Sequence, residues 1–440
     1  MHLPFGDQFI DVVLPSGWHF DTIEAPQIRG LSDSPGGLIE KALRSPAHFP
    51  SFNEYFGGKS RILVVVPDNT RPCPLPEILP VVLDCLRRAG TGSITMITAS
   101  GTHLPMSDAV LRRHVGASTF DLCRVIQHDA FSKEMREVGK TRRGTPVALN
   151  TILFEADAVL AISPVQHHYF AGMGGGPKMI VPGLASAETA LQNHRLAVAE
   201  NGRMHPNCRE GILRGNPVAE DIYEALSLCP AIFYLGLILD AKGQVADASA
   251  GDLCATHEAL ARKYHGTHVH IVEERRPLVI ASAGGMPRDC NFIQAHRGLH
   301  RAARLVEKDG IMIFLAECKE GLGSTTLLPW LQVPTSSEIA NKLLQNYTLH
   351  GHTALVLKEK TEKVRIFLLS NLQPDLVSKM GMMAIPFPAD NSLNINDLLD
   401  KMSSRKGWLL PQSAEFLPLP RDEMRSEDYE AMHPTGVEIL

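Results

Sequence analysis

Two α/β domains with mainly parallel sheets are predicted for this chain on three observations. Short apolar runs rich in β-branched residues alternate with segments of helical periodicity. The alternation breaks at a charged stretch, GTHVHIVEERRP (266–277), and then starts afresh. The length, 440 residues, exceeds what one hydrophobic core ordinarily supports. The expected division is a catalytic, cofactor-binding domain at 1–268, a substrate-side domain at 269–402, and a polar tail at 403–440. That tail either packs back on the first domain or stays mobile. Because small-molecule sites favour domain junctions, the active site is expected in the cleft between the two domains.

The first alternation opens with RILVVVP (61–67), a continuous apolar run of the kind found in strands buried on both faces. A helix follows in PEILPVVLDCLRRAG, with arginines in its last turn and Gly90 as its stop. SITMITAS (93–100) and CRVIQH (123–128) read as strands, with the short helix MSDAVLRRHVG between them. ADAVLAIS (156–163), the helix SAETALQNHRLAVAE and the strand AIFYLGLILD (231–240) complete this half. In the second half PLVIASAGG is strand and turn, NFIQAHRGLHRAARLV helix and GIMIFLAEC strand. VRIFLLS, PDLVSKM, MAIPFP and INDLLDKM continue the pattern, and KEKTEK (358–363) reads as a solvated turn between two strands.

Composition narrows the partners. Hydrophobic residues make up 44% of the chain, charged residues 21%, and the net charge is -5, so there is no bulk attraction to nucleic acid and the partner is expected to be a small molecule. The longest apolar run, around Ala231 to Leu239, is far shorter than the roughly 20 residues a membrane helix needs. No basic leader precedes an apolar block, and a cytoplasmic location is expected. Eight cysteines are scattered without a CxxC pair, which disfavours zinc knuckles and disulfide frameworks.

Ligands of parallel α/β sheets sit at the carboxyl ends of strands, so the loops after the strongest strands carry the chemistry. The first holds Asp68, Asn69, Thr70 and Arg71 ahead of a helix. Carboxylate, hydroxyl and guanidinium together suit a ribose and a phosphate; the plainer alternative is a capped loop with a surface ion pair. The second, Gly101-Thr102-His103, aims an imidazole from a strand end, either as a general acid or base or as a structural histidine.

The third loop reads Pro164-Val165-Gln166-His167-His168-Tyr169-Phe170-Ala171-Gly172-Met173-Gly174-Gly175-Gly176-Pro177-Lys178. Its glycines, Gly174, Gly175 and Gly176 above all, let the backbone close around a ligand and turn N–H groups toward phosphate. It is neither a GxxxxGK[ST] loop nor a GxGxxG turn. Lys178 suits a phosphate contact or a covalent cofactor anchor, and His194 on the next helix suits nickel, zinc, copper or iron. Two further groups stand out. His265, His268 and His270 form HGTHVH, where strand alternation would put His268 and His270 on one face. Gln294 and Arg297, three apart on a helix, suit a substrate carboxylate.

Taken in order, DNTRP, GTH, HYFAGMGGGPK, the following helix with its NH, and GG…DxNFxQxxR resemble the nickel-dependent lactate racemase family over nearly the whole chain. The most specific element is the spacing of His168, Lys178 and His194. The resemblance implies a nickel pincer nucleotide (pyridinium-3,5-bisthiocarboxylic acid mononucleotide nickel) joined covalently to Lys178, with His194 as a further nickel ligand. It implies His103 and His168 as the catalytic pair, Asp68, Thr70 and Arg71 around the ribose and phosphate, and Gln294 and Arg297 near the substrate. Proteins that build the cofactor would be partners.

Such an enzyme would invert the carbinol carbon of a 2-hydroxy acid through hydride removal and return, with one histidine serving each enantiomer. Lactate-specific members of the family carry lysine where Arg297 stands and tyrosine where Ile293 stands, so a larger 2-hydroxy acid, including a sugar acid, is the expected substrate. The alternatives are a nucleotide- or sugar-phosphate-binding protein without racemase activity and a conventional pyridine-nucleotide dehydrogenase.

Overall fold

Every residue of the Ala158–Pro164 strand is buried, as are all but the first of Arg61–Pro67, because helices cover both faces of the sheet they belong to. The computed structural model describes residues 1–14, 16–26, 34–388, 390–399, 404–425 and Asp428. These form two α/β units: one of residues 34–197 and 206–267, the other of the residues up to 26, 198–205 and the chain from 268 onward.

In the first unit the sheet runs Val245–Asp252, Ile232–Leu239, Ala158–Pro164, Arg61–Pro67, Ser93–Ala99, Arg124–Gln127. All neighbours are parallel except the Val245–Asp252 edge. Helix Leu75–Arg88 returns the chain between two of these strands, burying Ile78, Leu79, Val82, Leu83 and Leu86 along one stripe against Val64, Val66 and Met96. The core is continuous, and burying each of its large aliphatic side chains contributes about 1.5–3 kcal/mol. A short helix not expected from the sequence, Ala117–Leu122, precedes the Arg124–Gln127 strand.

The second unit has an all-parallel sheet ordered Met383–Ile385, Arg365–Leu369, Val306–Leu315, Arg276–Ser282, Lys406–Leu410, His19–Thr22. The N-terminal segment belongs here. His2–Phe5 and Gln8–Val13 form a hairpin whose Leu3, Phe5, Ile10 and Val12 pack with Leu278, Ile280 and Ile313, and His19–Thr22 adds an edge strand. The start of the polar tail is likewise structural: Lys406–Leu410 lies inside the sheet, and Leu417–Pro420 pairs with Val269–Val272. Residues 400–403, 426, 427 and 429–440, which include the end of the expected INDLLDKM helix and the last part of the tail, lie outside the described residues.

Two local expectations are corrected. KEKTEK is not a turn between strands, because helix Gly351–Thr361 runs into it; a short apolar run such as TALVL does not distinguish helix from strand. HGTHVH is not one strand either. Helix Leu253–His268 carries His265 and His268, and only His270 stands on the Val269–Val272 strand, so the alternating two-histidine face does not form. Among the described residues no helix is long and apolar enough to cross a membrane.

Candidate active site

Three adjacent strands of the first unit, Ala158–Pro164, Arg61–Pro67 and Ser93–Ala99, end at the same edge of the sheet, and their following loops carry His168 to Lys178, Asp68 to Arg71, and His103. The loops singled out from the sequence are therefore brought together by strand order alone.

Asp68 is buried at the end of its strand. One carboxylate oxygen lies 2.6 Å from His103 Nδ1; the other accepts the Thr70 hydroxyl at 2.7 Å and the Thr70 amide at 3.3 Å. Burial works against the charged carboxylate. The His103 hydrogen bond and charge, the Arg71 guanidinium and the Thr70 hydroxyl outweigh it and hold the carboxyl below its ordinary value. An ionised Asp68 can only accept, so His103 carries a proton on Nδ1, which leaves Nε2 as the ring nitrogen free to exchange one with a substrate. Both oxygens of Asp68 are thus engaged by the protein. The carboxylate expected to hold a ribose orients the histidine, with Thr70 bracing it.

His168 ends the short Gln166–His168 strand, which pairs with Gly172–Gly174. The Ala171 amide donates to its Nδ1 at 3.2 Å. Phe170, to which the sequence assigned no role, joins three of the candidate residues. Its ring meets His168 edge-on with centroids 4.6 Å apart and His194 edge-on at 5.0 Å, and the Lys178 ammonium lies 5.5 Å from its centroid. Asn216, fully buried, fixes this residue by donating to the Phe170 carbonyl at 2.9 Å. Lys178 itself has its amine lowered to about 7 by burial and by the positive charge of Arg71.

His194 occupies the last turn of helix Ala187–Arg195, capped by Ser186. Its neighbour Asn193 is wholly buried and donates to the Val218 carbonyl and to Asp221, whose other oxygen accepts the Thr141 hydroxyl at 2.5 Å. This polar network, silent in the sequence, sets the rotation of the helix that presents His194.

The Gly176 amide is turned elsewhere than expected. Gly176 gives its N–H to Ser163 Oγ at 2.9 Å and Tyr234 Oη at 3.2 Å, so that amide faces the protein and not a phosphate. Gly175 and Gly176 have φ of +80° and +47°, and a side chain on Gly176 would sit 2.5 Å from the His257 ring.

Gln294 and Arg297 stand on helix Phe292–Ala302 of the other unit, after the Arg276–Ser282 strand. Asn291 caps that helix through the Gln294 amide. Gln294 is buried there, whereas Arg297 and Ile293 are partly exposed. His265, on helix Leu253–His268, shares a buried 3.0 Å contact with His167 of the third loop. Among the described residues no group of three or more His, Cys, Asp or Glu side chains is arranged to hold a metal ion.

Residues 5–205 match the lactate racemase N-terminal domain and residues 271–396 the lactate racemase C-terminal domain. The lactate racemase of Thermoanaerobacterium thermosaccharolyticum is 27% identical over 310 residues, 70% of this chain and 72% of that protein. That of Lactiplantibacillus plantarum is 25% identical over 390 residues, 87% and 88% of the two chains. In fold, the Thermoanaerobacterium thermosaccharolyticum lactate racemase apoprotein superposes with a TM-score of 0.83 at 22% identity, over 95% of this chain and 99% of that one. A Thermotoga maritima protein superposes with a TM-score of 0.69 at 17% identity, over 88% and 98%. With both domain families matched in order and the two-unit architecture shared, the chain belongs to the lactate racemase family of isomerases.

Proposed function

We propose that this protein inverts C2 of a 2-hydroxy acid in the cytoplasm, using a nickel pincer nucleotide joined to Lys178, with His103 and His168 as acid and base. The observation that carries the reading is the convergence of a carboxylate-backed imidazole, a second imidazole and a lysine of depressed basicity on one sheet edge, in a member of this family. The residues fit the cofactor. An amine brought down to about 7 is about half unprotonated at neutral pH, which gives acylation a ready nucleophile, and the His194 imidazole is a suitable nickel donor. When bound, the cofactor would supply the acceptor and donor of hydride at C2.

The chain's own residues do the rest. His103 Nε2, held ready by Asp68, takes the hydroxyl proton of one enantiomer and returns it; His168 serves the other. Arg71 would meet the cofactor phosphate, and Arg297 with Gln294 the substrate carboxylate. Arg297 and Ile293 in place of lysine and tyrosine favour a 2-hydroxy acid larger than lactate, a sugar acid among them.

Protein produced together with the cofactor-building enzymes should carry nickel, show added mass on the peptide containing Lys178, and racemise or epimerise at least one member of a panel of single-enantiomer 2-hydroxy acids followed by proton NMR. A nickel-loaded, adducted protein that inverts none of them would point instead to cofactor binding without racemase chemistry. In the same panel Arg297→Lys should shift preference toward smaller acids, read as a change in the kcat/KM ratio.

A further inference from the structure

The Lys178 loop is held from beneath by a set of buried groups outside the catalytic constellation. Tyr234 stands on Ile232–Leu239, directly beside the strand that leads into the loop, and Gly236 leaves room for its ring. Its hydroxyl donates to the Ser163 carbonyl at 3.0 Å and, with Ser163 Oγ, accepts the Gly176 N–H. On the opposite side, His257 of helix Leu253–His268 reaches the Gly174 carbonyl with Nε2 at 3.2 Å. A carbonyl only accepts, so the proton is on Nε2, and Nδ1 accepts the Tyr223 hydroxyl at 2.8 Å. Ser163, Tyr234 and His257 are all buried. Gly174 and Gly176 are thus clamped through one carbonyl and one amide, four and two residues ahead of the lysine, and the Lys178 amide closes onto the Gly175 carbonyl at 3.1 Å.

We infer that Ser163, Tyr234 and His257, with Tyr223 behind it, are positioning residues for Lys178: they fix the backbone that presents its amine beside Arg71 and Phe170. The inference rests on Lys178 being the attachment point, and its distinctive consequence belongs to the protein before any cofactor arrives. Burial and Arg71 depress the amine only while the loop is clamped, so releasing the clamp returns Lys178 to the behaviour of an ordinary lysine.

The test uses the full-length protein without cofactor. Acetylation of Lys178 by a water-soluble acetyl ester is followed against pH by peptide mass spectrometry, with Lys242 as internal reference, alongside amide hydrogen exchange of the peptide covering Gly174 to Lys178. In the wild type, labelling should level off just above neutral pH and the peptide should be protected. His257→Leu and Tyr234→Phe should move the plateau up by at least one pH unit, which lowers the unprotonated fraction at pH 7 roughly fivefold or more. Both should also speed exchange.

His257→Gln, whose amide can donate to Gly174 and accept from Tyr223, should restore both readouts. Ser163→Ala, which deletes one acceptor, should give an intermediate profile even if the harsher variants do not fold. Unchanged labelling and exchange in the folded variants, or failure of His257→Gln to rescue, would overturn the assignment. Failure of the proposed function would instead appear as an absent Lys178 adduct in wild-type protein, whatever the labelling profile.

Discussion

At the scale of single residues, the Asp68–His103 contact has the sharpest consequence. A 2.6 Å hydrogen bond to a buried carboxylate decides which nitrogen of His103 carries the proton it shares with the protein. Replacing Asp68 by Asn removes the charge and lets the ring take the wrong tautomer. Turnover of the loaded enzyme is expected to fall about a hundredfold or more with little change in KM, by analogy with the loss in serine protease triads. Steady-state kinetics on folded, nickel-loaded Asp68→Asn would show it, and activity within threefold of wild type would remove Asp68 from the mechanism. Phe170 makes a milder case. Phe170→Leu keeps much of the apolar volume but loses the ring edge and face that His168, His194 and Lys178 share, so nickel content should drop with little loss of fold.

Among the elements, the glycine loop is the most sensitive. Alanine at position 176 combines a left-handed backbone with a clash against the His257 ring, and should destabilise the protein by about 2–4 kcal/mol in urea unfolding of the cofactor-free form. A loss under 1 kcal/mol would mean the loop tolerates a side chain and is not clamped. The sequence made this loop conspicuous, and strand periodicity placed Asp68, His103 and Lys178 at strand ends, because those signals are local. It could not reveal what faces the loop. Tyr234, His257, Asn193 and Asp221 sit on other elements and look like ordinary polar residues until the sheet order brings them near. For the same reason Gly176 read as a phosphate donor, although its N–H is spent on Ser163 and Tyr234.

For the molecule as a whole, buried neutral histidines couple stability to pH. His257 is brought down to about 4 by burial, the Gly174 bond opposing, and burial also lowers His128, whose Nε2 meets the Ala185 carbonyl at 3.0 Å. The unfolded chain binds these protons more readily. The stabilisation is therefore complete above the ordinary histidine value of 6.5 and is lost as pH falls toward 4, at a cost of roughly 3 kcal/mol for His257 if it behaves independently. Unfolding midpoints measured from pH 7 to pH 4 should decline more steeply in wild type than in His257→Gln; parallel curves would contradict the assignment. At this scale the α/β class and the parallel sheets were legible from alternation along the chain. The membership of the first 26 residues was not, since His19–Thr22 finds its partner in Lys406–Leu410 at the other end of the sequence.

The central claim is inversion by hydride removal and return, with the histidines handling only the hydroxyl proton. Its most direct test is conversion of one enantiomer of an accepted 2-hydroxy acid by the nickel-loaded enzyme in deuterium oxide, followed by proton NMR. Inversion with the C2 hydrogen retained as protium is the expected result. Deuterium entering C2 at the rate of inversion would show proton abstraction from carbon and contradict it.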